Sequence, residues 1–107
     1  MSEFKARQFR DIFDVVALVS AAVDPASLAD AAGATVDVTV TGAAIGDFVL
    51  FAPGVDMVDM VVTAYVVASN TVQIRVQNES GAAANIASST WNFAILRPAA
   101  YNVVAAS

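Results

Sequence analysis

The side chains able to do chemistry in this sequence are ten carboxylates, with no histidine and no cysteine beside them. The lack of histidine removes the commonest general base and the commonest metal ligand. The lack of cysteine removes thiol nucleophiles, thiolate zinc sites and disulfides. Serine hydroxyls need a neighbouring base to become nucleophiles, and the single lysine, Lys5, lies at the chain's beginning. Gly42 and Gly46 are not followed by the lysine a phosphate-binding loop requires. Paired carboxylates can run glycoside hydrolysis, but such sites come with aromatic-lined clefts. The one tryptophan, Trp91, alternates with Phe93 and Ile95 as a core strand would. Asp47, Asp56 and Asp59 are spaced so that they could approach one another at one end of a sheet and offer oxygen ligands to calcium. Their spacing matches no calcium loop, and solvated acids capping turns account for them better. The expectation is therefore no catalytic residue, no metal, no cofactor and no enzyme.

What must position these residues is a chain of 107 residues, long enough for one domain. Apolar residues make up 58% and charged residues 14%, against roughly 45–50% and 25% in ordinary soluble domains. A small domain has proportionally more surface to cover, so part of that apolar surface is expected to face another chain. A membrane is not the expected partner. The most apolar stretches, Val15–Val23 and Met60–Ala68, are shorter than the roughly 20 residues of a spanning helix. Lys5, Arg7 and Arg10 precede an apolar run, but Asp11 and Asp14 interrupt the pattern of a secretory leader. Nucleic acid is not expected either, because the net charge is −5 and only Arg75 and Arg97 lie beyond the first ten residues as cations.

The periodicity predicts an all-β domain. Residues 1–14 mix Phe4, Phe9, Ile12 and Phe13 with six charges and fit a short amphipathic helix or an extended arm. Asp14–Val23 reads as a first strand, ended by Asp24-Pro25. Residues 26–33 read as a loop or one helical turn. Residues 34–41 alternate strictly, with Val36, Val38 and Val40 on one face and Thr35, Asp37, Thr39 and Thr41 on the other. Residues 47–52 form a nearly all-apolar strand before Pro53-Gly54. In Val55–Met60, the spacing of Asp56 and Asp59 suggests a helical turn. Residues 61–68 and 71–77 make a hairpin around Ser69-Asn70, where Asn70 suits a positive φ. Residues 78–89 read as a small polar surface loop, residues 90–97 as a last strand, and 98–107 as an apolar C-terminal tail. Short strands with Gly, Pro and Asn between them predict a small antiparallel β-sandwich or barrel-like domain over 15–97.

The positive signal in the sequence is therefore for association. Aromatics and methionine are enriched at interface centres. The candidate contacts are Phe4, Phe9 and Phe13 in the arm, Met57 and Met60 in the connection, and Tyr101 in the tail.

Residues 66–82 (Val-Val-Ala-Ser-Asn-Thr-Val-Gln-Ile-Arg-Val-Gln-Asn-Glu-Ser-Gly-Ala) are followed by 87–97 (Ala-Ser-Ser-Thr-Trp-Asn-Phe-Ala-Ile-Leu-Arg). Upstream stand Asp24-Pro25-Ala26-Ser27-Leu28 and 40–47 (Val-Thr-Gly-Ala-Ala-Ile-Gly-Asp). This pattern, over roughly residues 18–97, resembles a β-sandwich module of tailed-bacteriophage virion structural proteins. There an Asn-Thr-Val hairpin leads to a Gly-containing loop and a strand starting near Trp and ending in Arg. The resemblance implies a capsid decoration (cement) subunit, made in the host cytoplasm and carried on the capsid surface. Its partners would be the major capsid protein, other virion subunits and copies of itself, with a homotrimer favoured. The short segment before the module favours this over a long fibre. The alternative is a head-fibre or tail-fibre module that binds a host surface glycan or receptor. The resemblance carries no catalytic residues.

Overall fold

The computed structural model describes residues 12–99. Six antiparallel strands form two three-stranded sheets: β1 (Phe13–Val23), β2 (Gly33–Thr39), β3 (Phe48–Ala52), β4 (Val61–Ala68), β5 (Thr71–Gln77) and β6 (Ser89–Pro98). One sheet has the order β1-β6-β3 and the other β2-β5-β4. The all-β sandwich expected from the period-two patterning is what the chain adopts.

The inward residues of the two sheets make one core. Val38, Val66, Val72, Ile74 and Val76 come from one sheet, and Val23, Trp91, Phe93 and Ile95 from the other. Trp91 is fully buried and stacks between Phe51 and Phe93, at centroid distances of 6.1 and 6.4 Å. Its indole N–H donates to the Ser89 hydroxyl at 3.1 Å, so its one polar group is satisfied. Burial of such side chains is the main favourable contribution, about 1.5–3 kcal/mol each.

Turn chemistry sets the connections. Asn70 closes the β4–β5 hairpin with φ 64°. Its side-chain oxygen accepts from the Gly42 N–H and its backbone N–H donates to Ala43, so the hairpin tip is tied to the turn after β2. Gly54, after β3, is required by close approach: a Cβ there would overlap the Thr90 carbonyl oxygen.

Three expectations are corrected. The arm or helix expected over 1–14 overlaps β1 at its end: Phe13 pairs with Pro98, and Asp14, the expected start of the strand, pairs with Arg97. The domain thus begins before residue 15 and runs past residue 97; residues 1–11 and 100–107 lie outside the described residues. Val55–Met60 holds no helical turn. Val58 and Asp59 have φ of 51° and 61°, and the Met60 N–H donates to Met57 at 3.1 Å, which closes a left-handed reverse turn. The Asp56 carboxylate accepts from the Val58 N–H, so the acid spacing serves a turn instead of a helix. Residues 78–89 are not simply a surface loop, because Asn78 and Ile86 are buried and Leu28 bridges Ala84.

Asn78 is the pin of that region. Its amide nitrogen donates to the carbonyls of Leu28, Ala29 and Ala82 at 3.1, 3.2 and 2.9 Å. Its side-chain oxygen accepts from the Ser80 N–H and hydroxyl. One buried amide thereby holds the loop after β1 against the loop after β5.

Candidate functional site

The two sheets differ on their outer faces. On the β2-β5-β4 sheet the outward residues are mostly polar, with Val61 at the start of β4 the large apolar exception. Thr35, Arg75 and Thr63 line up across the strands, as do Asp37, Gln73 and Tyr65. Gln73 donates to the Asp37 carboxylate at 3.1 Å, and Gln77 to the Ala31 carbonyl at 2.7 Å. This is the wet face that the alternation in β2 and β5 predicts.

The β1-β6-β3 sheet is apolar on its outside as well as its inside. Because Trp91, Phe93 and Ile95 point inward, Asn92, Ala94 and Leu96 point outward. The register then aligns Leu18 with Ala94 and Leu50, and Val15 with Leu96 and Phe48. Leu18 is 76% exposed, Leu50 58%, Phe48 50% and Val15 47%. No ionisable side chain lies among these outward residues. Phe13 packs edge-on against Phe48 at 5.7 Å and extends the patch to the end of the sheet. Between the tall Leu18 and Leu50, the small Ala94 leaves a trough of about 420 Å³. At its far end the Ser20 hydroxyl donates to Asn92 Oδ1 at 2.7 Å.

Charge appears only at the rim. Arg97, at the end of β6, makes a bidentate pair with Asp47, with Nε–Oδ1 and Nη2–Oδ2 both 2.7 Å. Arg97 also donates to the Gly42 carbonyl at 3.3 Å. The Asp47 side chain is only 4% exposed and accepts the Ala44 N–H as well. The Arg97 hydrogen bonds hold the Asp47 carboxyl below the usual carboxylate range, outweighing the upward push of burial. Asp47 therefore fastens the turn before β3 to the end of β6.

The candidate residues from the sequence fare differently. Phe13 stands at the margin of the apolar face. Met57 and Met60 are half-buried and pack against the protein's own core, so they are core residues in the isolated chain. Phe4, Phe9 and Tyr101 lie outside the described residues. The acids Asp47, Asp56 and Asp59 are not brought together; among the described residues no three acids are close enough to hold a metal ion. Among the described residues no helix is long and apolar enough to cross a membrane.

Sequence reasoning missed Leu18, Phe48 and Leu50 as surface residues. The signal was present in residues 48–52, because a strand apolar at every position must be covered on both faces. Among the described residues, only one face of β3 is covered. Comparison with protein-family models, curated proteins and solved structures found no match.

Proposed function

We propose that the protein is a structural subunit that works by lying against other protein surfaces, and that its assembly is a tailed-phage virion. One observation supports this most: the uncharged outer face of β1-β6-β3, with Leu18, Phe48 and Leu50 each at least half exposed. Monomeric soluble proteins rarely leave a contiguous apolar patch of this kind in water. The polar opposite face would then point to solvent, and the net charge of −5 would keep the coated particle dispersed. A subunit that binds only the assembled shell stabilises that shell by mass action. The paired polar groups and the open, shallow trough offer no general base or nucleophile. The resemblance of residues 66–97 to virion β-sandwich modules points the same way, toward capsid decoration.

The experiment is fractionation of native material on a density gradient, with detection of this chain by mass spectrometry. The chain is expected to travel with high-mass particles, and a Leu18→Lys/Leu50→Lys double variant to remain in the light fractions. A chain found only in light fractions, with or without those substitutions, would overturn the proposal.

A further inference from the structure

We infer that β1 is a self-pairing edge, through which two copies of this chain join into one continuous six-stranded sheet. The inference deepens the reading of the chain as an assembly subunit, but it is tested on the isolated protein. The four edge strands are not equivalent. β3 is five residues long and runs into Pro53. β4 lies on the side of the sandwich where the two sheets come together, next to β3. β2 carries Asp37 next to its central residue. β1 is eleven residues long and has no charge from Val15 to Val23. Among the described residues it bonds to β6 on one side only, and it barely meets β2 on the other. Long, uncharged edges are the ones that recruit another strand, and proteins that must stay single usually blunt them.

The occupant that fits is a second β1. Leu18 is the central residue of the strand and also the most exposed large apolar side chain among the described residues. A two-fold axis through Leu18 therefore gives the longest possible antiparallel overlap, and it sets each Leu18 against its copy. β1 has an irregular register against β6 between Val15 and Ala17. If Val16 is also left out of pairing on the new side, every facing residue keeps its side of the sheet. Ala17 then lies opposite Val19, Val15 opposite Ser20 and Asp14 opposite Ala21. The only charge on the strand thus faces alanine, so no like charges meet at the joint. About ten backbone hydrogen bonds would form, as many as in a standard interface. The strip is narrow, so the dimer should be reversible and concentration-dependent. It would also double the width of the apolar outer face presented to a larger assembly.

The test is sedimentation equilibrium of the full chain from micromolar to near-millimolar concentration. The parent is expected to approach twice the 11.0 kDa chain mass. Leu18→Lys and Leu18→Glu are surface changes, and each alone should raise the dissociation constant at least tenfold. An equimolar mixture of the two should recover the dimer, because the Lys and Glu side chains then meet across the axis. Leu50→Lys, two strands away, should leave the dimer intact. A monomer at all concentrations or a trimer would overturn the inference. So would loss of the dimer in Leu50→Lys, which indicates face-to-face packing. A parent monomer that dimerises only after removal of residues 1–11 or 100–107 would show the edge covered by the chain's own ends, and would also overturn it.

Discussion

The buried side chain of Asn78 offers a perturbation whose size follows from the geometry. Its amide has two N–H groups, and these serve three carbonyl oxygens between 2.9 and 3.2 Å away. Asn78→Asp keeps the shape and replaces the donor with an acceptor that faces those carbonyls. Both N–H donors are lost. The carbonyls of Leu28, Ala29 and Ala82 each keep a second donor, in the Ala84 N–H, the Ala32 N–H and the Ser80 hydroxyl. The lost hydrogen bonds therefore cost about 1 kcal/mol each. Placing a negative charge among carbonyl dipoles adds to this, so the total should be about 3–5 kcal/mol at pH 7. That is a large share of the roughly 5–15 kcal/mol that holds a domain of this size folded. With an m-value of about 1.5 kcal/mol/M, the urea midpoint should fall by about 2–3 M. The pH dependence separates charge from packing. The environment raises the introduced carboxyl above its unfolded value. The variant should therefore gain stability as pH falls through that raised value, because the protonated carboxyl donates one hydrogen bond again. The gap to the parent should narrow in acid. A variant within 1 kcal/mol of the parent at pH 7, or a gap that ignores pH, would refute the role assigned to Asn78.

Other outcomes follow from single contacts. Asp47 has its carboxyl lowered by Arg97. Its stabilisation should be full above the unfolded carboxylate value and lost as pH falls through the lowered folded value. In thermal melts, the gap between the parent and Asp47→Asn should be complete at pH 7 and close in acid. Val58 is a half-exposed β-branched residue with φ 51°. Val58→Asn should relieve about 1 kcal/mol of backbone strain, raising Tm by about 4–8 °C in calorimetry. Gly54→Ala should cost about 1–3 kcal/mol in urea unfolding, because its Cβ meets the Thr90 carbonyl.

The strands were legible because their residues alternate. Val36 and Val38 pack inward while Thr35 and Asp37 face water, and β5 follows the same rule. The hairpin at Asn70 was legible because few residues accept a positive φ. Val58 misled for the same reason: a β-branched residue gives no hint of a left-handed turn, so the two aspartates suggested a helix instead. Asn78 was hidden because a buried amide and a solvated one look alike in sequence. What decides its burial is the distant loop carrying Leu28 and Ala29. The candidate site was half legible. The surplus of apolar residues called for a covered surface, but composition alone singles out aromatics and methionines. Met57 and Met60 instead face the core, and the exposed patch is built on Leu18, Phe48 and Leu50, which only the sheet order brings together.

Hydroxyl-radical footprinting of the protein in its native high-mass particle, against the isolated chain, tests the central claim most directly. Tyr65, half exposed on the polar sheet, serves as the internal control. Leu18, Phe48 and Leu50 should be modified in the isolated chain and protected in the particle, while Tyr65 reacts equally in both. Equal modification of the three apolar residues in both states, or protection of Tyr65 in their place, would contradict the account.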